Sequence, residues 1–457
     1  MPEKKLYEKP TIVRNMQGSM NKLAGARQRQ QCGEIAGISV NELVKGFGSP
    51  LWVACEEELR LKYKNLYQAF SLRYPKVTIA YSYKTNFLPG ICALFHQEGA
   101  WAEVVSGFEY EIALSLGVPG SQIIFNGPYK TREELERAVK LNSTINADSF
   151  EELYELEEIA EKLGRKVKVG IRINMKLYEA NWSRFGFSLE EGDALRAAHQ
   201  IAQSGNLTLS GLHIHIGTQI LDKDIYRRMV ERLLEFYQEI TSQYSEITIE
   251  YLDVGGGFAS SNTLHHEWIS GEYVCPTFEE YADAICIPLT SEFSKAGHMP
   301  RLFLEPGRAL VDECIHMIAT LVARKDLPDG QRGLVLNAGI NLLPTSYWYR
   351  FDIKPAATHN DAAGGGIAER VHLYGPLCMN IDCIQENALL PPLRAGEHLV
   401  IRNVGAYNYS QSWQFIRLRP AAVIITGTSV EYLRLPENTD YIMQLNRIPE
   451  HLAHRSG

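Results

Sequence analysis

No two cysteines of this chain form a CxxC pair; the eight are scattered widely along 457 residues. A chain of this length can bury its own core without covalent staples, so they read as reduced thiols in a cytoplasmic protein. Long apolar runs are missing as well. No stretch of about 18 apolar residues is there to span a bilayer. The first twenty residues carry Lys4, Lys5, Lys9 and Arg14 but no apolar segment of the kind a secretory signal needs. Positive charge is in short supply: the net charge is −8 and no basic stripe interrupts it. Nucleic acid and anionic membrane surfaces are therefore not expected partners. What remains is an ordinary globular composition, 45% apolar and 22% charged, in a chain long enough for two domains.

Short β-branched or apolar runs alternate with longer amphipathic ones. Strands are predicted at 77–84, 100–105, 122–126, 143–147, 167–173, 208–216, 248–254 and 300–305. Between them lie helical patterns. In 58–73, Leu59, Tyr63, Leu66, Tyr67 and Phe70 mark one face, and 149–164 opens on Asp148-Ser149 as N-cap with acidic residues in its first turn. Eight such repeats predict a (β/α)8 barrel over 56–310, with its site at the C-terminal strand ends. The predicted strand ends are polar: Lys84, Ser106, Asn126, Asp148, Asn174, His215, the glycines 255–257 and Glu305. From 311 to 457 the pattern turns to short strands (313–324, 332–338, 369–374, 397–404, 421–426), which predicts a mostly β domain. Residues 1–55 form an extension whose 33–55 portion joins that domain. The segment 356–368 reads as a loop, and 1–25 as polar and only partly ordered.

Lys84 closes the apolar run that contains Val77, Ile79, Tyr81 and Tyr83. A lysine in such a place is expected to have a depressed pKa and a nucleophilic amine, as Schiff-base chemistry requires. Gly255-Gly256-Gly257 follows a strand with no Cβ to keep an anion away, and barrels commonly hold phosphate there. Some fifty residues on, Glu305-Pro-Gly-Arg308 offers a guanidinium for that anion and a carboxylate further in. A lysine, a phosphate cradle and a buried carboxylate together describe a pyridoxal 5'-phosphate site, the carboxylate keeping the ring nitrogen protonated. His213 and His215 share one strand face. With no third ligand evident beside them, no metal is expected, and a ring stacked on a flat cofactor is the better reading for one of them.

The chain resembles the diaminopimelate/ornithine decarboxylases, the fold type III pyridoxal-phosphate enzymes with an alanine-racemase-like barrel. The resemblance rests on Tyr83-Lys84-Thr85-Asn86, Glu103-Val-Val-Ser-Gly107, Gly211-Leu-His-Ile-His-Ile-Gly-Thr-Gln219 and Asp253-Val-Gly-Gly-Gly-Phe258. It continues through Glu305-Pro-Gly-Arg308, Gly375-Pro-Leu-Cys378 and Gly405-Ala-Tyr407, in the family's order. It implies Lys84 as the Schiff-base lysine, His215 stacked on the ring and Glu305 paired with the pyridinium. Thr218, Gly255, Gly256, Gly257, Gly307, Arg308 and Tyr407 would surround the phosphate. It also implies a homodimer with shared active sites, in which Cys378 reaches across from the second subunit; Cys378, or a water it positions, is the expected proton donor.

Two departures from the family pattern stand out. After 336–341 the chain runs Leu342-Leu-Pro-Thr-Ser-Tyr-Trp348, without the arginine that diaminopimelate decarboxylases use for the distal carboxylate. Met379 and Asn380 replace the acidic residue and serine that follow the motif cysteine, while Asp382 is kept. Since a desolvated ion without a counter-charge is costly, the expected substrate is an amino-acid conjugate or carrier-bound aminoacyl group of siderophore or antibiotic synthesis. Tyr347, Trp348, Met379 and Asp382 would line its pocket. Three readings stand beside this one: diaminopimelate decarboxylation with recognition moved to Arg184 or Arg350, an amino-acid racemase, and a non-catalytic paralogue.

Overall fold

The computed structural model describes residues 31–177, 184–265, 267, 269–294, 297–328, 330–356 and 368–452. The expectations for 1–25, and for 357–367 of the predicted loop, lie outside the described residues. Eight parallel strands form a closed barrel: Val77–Ser82 (β1), Trp101–Val104 (β2), Ile123–Phe125 (β3), Thr144–Ala147 (β4), Val167–Asn174 (β5), Leu207–Ile214 (β6), Tyr251–Asp253 (β7) and Arg301–Leu304 (β8). Each pairs with the next, and β8 closes on β1 with Leu302 opposite Val77. All eight predicted strands are present, most shortened by a residue or more at one end or both. The largest consequence is at Lys84, which sits in a 3-10 turn (Tyr83–Thr85) just beyond β1.

Helices pack outside the barrel, and their starts follow from local side-chain chemistry. Ser149 accepts from Glu152 N–H ahead of Phe150–Leu163, and Thr131 and Thr277 make reciprocal capping boxes ahead of Arg132–Lys140 and Phe278–Phe293. In Glu56–Ser71, Leu59, Tyr63, Leu66 and Phe70 are buried as the spacing predicts. Tyr67 is exposed instead, its ring stacked on Tyr63 at the shoulder of that face.

The second body is a mostly β sheet. Its main path runs Cys383–Leu390, Glu369–Tyr374, Arg332–Leu336, Ile315–Asp326, Leu51–Cys55, Ala422–Thr426 and Ser429–Arg434. Leu51–Cys55 lies in the middle of it, antiparallel to Ile315–Asp326 and parallel to Ala422–Thr426, and all five of its residues are buried. From Leu51–Cys55 in the β sheet the chain crosses to the barrel at Cys55, and it returns at Ile315. Among the described residues no helix is long and apolar enough to cross a membrane.

Candidate active site

The C-terminal ends of the barrel strands open into a cavity of about 540 Å³. Lys84, Glu103, Asn126, Arg172, His213, His215, Thr218, Glu305, Arg308, Trp348, Tyr349 and Tyr407 are on its wall. Residues far apart in the sequence meet there because the barrel gathers eight strand ends into one rim, and Trp348, Tyr349 and Tyr407 join them from the chain beyond the barrel.

A continuous polar network forms the floor. Lys84 Nζ donates to Glu103 Oε2 at 2.6 Å, and Ser82 Oγ donates to the same oxygen at 2.6 Å. The Asn126 amide donates to Glu103 Oε1 at 3.1 Å and to Glu305 Oε1 at 2.6 Å, so one side chain spaces two carboxylates. Asn126 is itself held by Asn146 at 2.9 Å, and Asn146 by the Tyr251 hydroxyl at 2.7 Å. Chained buried hydrogen bonds of this kind fix side chains in single positions. Glu305 Oε2 stands 3.5 Å from His213 Nε2, and Asp253 lies within reach of both.

The charge states follow from this packing. Burial alone would lower the Lys84 ammonium. The Glu103 carboxylate, with Tyr407 and Glu305, outweighs burial and raises it. The expected depression is therefore corrected: the free amine is held charged because the neighbouring strand β2 supplies its counter-ion, Glu103. Burial would likewise raise Glu305, but His213, Lys84 and Asp253 hold it ionised, well below the usual carboxylate range. Asp253 goes the other way, pushed up by burial and then by the Glu305 charge, so Asp253 carries the proton of the pair. Burial, reinforced by Lys84 and Arg172, keeps His215 neutral; its Nδ1 accepts from Gly256 N–H at 3.0 Å.

A second cluster suits an anion. Arg308 is buried, ion-paired to Asp312 at 3.2 Å, and lies 4.9 and 5.2 Å from the ring centres of Tyr349 and Tyr407. Its Nε–H has no partner among the described residues, a buried donor that an incoming phosphate would satisfy. The glycines beside it admit no side chain. A Cβ on Gly256 would stand 2.3 Å from the Glu305 carbonyl oxygen, and one on Gly307 would stand 1.9 Å from Thr85 Oγ1. Gly255 and Gly257 hold φ values of 67° and 91°. A buried guanidinium with a spare Nε–H, a bare-backbone cradle, a lysine and an ionised carboxylate together fit pyridoxal phosphate.

Not every expected residue reaches the cavity. Trp348 does, whereas Tyr347 points to solvent at 79% exposure. Asp382 is buried elsewhere, accepting from Ile340 N–H at 2.9 Å and Leu377 N–H at 2.7 Å, so it shapes the turn that carries Cys378. Cys378 is exposed, and neither it nor Met379 lines the cavity of a single chain. Arg350 donates to the Glu267 carbonyl and is also off the wall. Arg172 was missed. It points inward from β5, pairs with Asp148 at 3.2 Å and packs over Phe185. Its signal was its parity with Gly170 and Asn174 on the inward side of the strand.

Residues 58–312 match the family model for the pyridoxal-dependent decarboxylases, pyridoxal binding domain. The diaminopimelate decarboxylase of Aquifex aeolicus is 31% identical, covering 90% of this chain and 94% of its own length. That of Methanocaldococcus jannaschii is 30% identical, covering 92% and 95%. A crystal structure of the M. jannaschii enzyme in co-complex with L-lysine superposes with a TM-score of 0.83 at 29% identity, covering 92% of this chain and 97% of that one. These matches overturn the expectation of a conjugated or carrier-bound substrate and of siderophore or antibiotic synthesis. The relatives at 28–31% identity align nearly end to end and are diaminopimelate decarboxylases, and two local departures in sequence do not outweigh that. From barrel to β sheet, this chain belongs to the pyridoxal-dependent decarboxylase family and is a carboxy-lyase that uses pyridoxal phosphate.

Proposed function

We propose that the protein removes one carboxylate from diaminopimelate and releases lysine. The observation that carries this reading is the near full-length likeness to diaminopimelate decarboxylases, one of them solved with L-lysine. When bound, pyridoxal phosphate supplies an aldehyde for the substrate amine and a ring that accepts the electrons of the broken Cα–carboxylate bond.

The chain's own groups do the rest. With the cofactor bound, Lys84 would be the residue that holds its aldehyde, and Glu103, 2.6 Å from Nζ, would take and return the proton of that amine. Arg308, Thr218, Tyr407 and the backbone N–H groups of 255–257 and 307 bind the phosphate. His215, kept neutral, would stack on the ring, and ionised Glu305 would pair with the ring nitrogen. Arg172, Thr345, Gln219 and Gln411 are the polar wall groups that the substrate's distal end can meet, with Trp348 and Tyr349 closing the apolar side.

Loaded with cofactor, the protein is expected to release CO2 and lysine in equal amounts from meso-diaminopimelate. CO2 from ornithine or lysine but not from diaminopimelate would overturn the reading.

Cys378 is the proposed proton donor to Cα, and its exposure in a single chain is what a shared dimer site requires. Lys84→Ala and Cys378→Ala should each be inactive alone. Co-refolded, they should regain about a quarter of wild-type activity, because half the dimers then hold one intact site. No recovery on mixing would place both residues in the same chain's site.

A further inference from the structure

We propose a divalent-metal site of zinc-like preference at Cys55, Glu58 and His316, away from the cofactor cavity. The expectation of no metal considered only His213 and His215; these three residues stand where the chain passes between barrel and β sheet. Cys55 ends the strand Leu51–Cys55 and caps the helix Glu56–Ser71, so Glu58 in the first helical turn lies directly above it. His316 pairs across the sheet with Val53. Residues 53 and 55 share a face, which brings the imidazole diagonally next to the thiol. One ligand atom from each of the three lies within 4.8 Å of the other two.

The donor set is a thiol, an imidazole and a carboxylate, the mixture that a four-coordinate zinc ion takes at about 2.0–2.3 Å. The His316 contact that competes is weak: Nδ1 accepts from Asn403 N–H at 3.4 Å. An entry path and a place for a fourth, water ligand are provided by a neighbouring cavity of about 770 Å³. Glu58, Cys314, Arg402 and Asn403 are on its wall. The nearby cation, Arg402, is paired to Asp352 at 3.1 Å, so the thiolate and carboxylate together balance a divalent ion. On binding, the thiol gives its proton to solvent as the sulfur–metal bond forms. The ion would tie the first barrel helix to the strand Ile315–Asp326, at the two points where the chain crosses between its bodies.

The test uses cofactor-loaded protein stripped with a chelator and titrated with Co²⁺, then with Zn²⁺ as competitor. The expected result is one ion per chain, visible ligand-field bands of a thiolate-bound cobalt that Zn²⁺ abolishes, and a higher thermal midpoint with zinc. Cys55→Ser should remove the bands. Glu58→Gln, at an exposed position where folding is not at stake, should weaken zinc binding at least about tenfold and leave decarboxylation unchanged. Substoichiometric binding, or binding unaltered in both variants, would overturn the site.

Discussion

Lys84→Ala leaves a folded protein that releases no measurable CO2, a fall of at least about 10³-fold, within the range lost when a positioned proton-transfer group is removed. The substitution takes away the amine that stands beside Glu103 on the cavity wall. It does not strip Glu103 of partners, since Ser82 and Asn126 still donate to its two oxygens. The thermal midpoint should therefore move little. Lys84→Arg separates charge from chemistry: it keeps a cation beside Glu103 but offers no primary amine that can lose its proton. Activity should be as low as in the alanine variant. Borohydride treatment followed by peptide mass analysis should find cofactor on the Lys84 peptide of the wild type and nowhere in either variant. Full turnover by Lys84→Ala would end the proposed scheme.

The barrel was legible because its signals are local. Each strand is a short apolar run, and several helices announce their starts with a side-chain cap, so the eight-fold repeat can be counted without knowing any contact. The β sheet was harder. Cys383–Leu390 has the polar run Gln385-Glu386-Asn387 in its middle and reads as a turn, and the exposed edge strand Ser429–Arg434 has too few buried positions to show a period. The site divides in the same way. Lys84, the glycines, Glu305 and Arg308 stand at strand ends and could be read from sequence. The network of Asn126, Asn146 and Tyr251 could not, because its members are brought together by the barrel's closure and not by spacing in the chain. The charge of Lys84 was misjudged for a related reason. Burial was visible in the sequence, but the distance to Glu103 was not, and at 2.6 Å that distance decides the direction of the shift. The substrate error came from weighing the loss of an arginine and an acidic residue above the alternative that recognition had moved to other side chains. Arg172 reaches the same cavity from β5, a strand whose pattern reads simply as core.

Glu305→Gln should lower kcat by about 10²–10³-fold, the scale of losing one preorganised electrostatic partner, while cofactor affinity and KM change by far less. The two oxygens of Glu305 are separately occupied: Oε1 by the Asn126 amide at 2.6 Å, Oε2 facing His213 Nε2 at 3.5 Å. Glutamine has the same shape and can satisfy Asn126 through its carbonyl, so packing survives. What is lost is the negative charge that favours a proton on the ring nitrogen, and with it the ring's capacity to draw electrons from the breaking bond. Asp253 provides an internal check. It holds its proton because it is buried and because Glu305 is charged beside it. Removing the Glu305 charge makes Asp253 easier to ionise, so the single variant can retain a residue of activity from a carboxylate one position removed. Glu305→Gln combined with Asp253→Asn should then be slower than Glu305→Gln alone by more than Asp253→Asn costs the wild type, a coupling that only neighbouring, interdependent charges produce. Additive losses would mean that Asp253 merely orders the Gly255 turn, to which it is bonded at 2.9 Å, and that Glu305 acts alone.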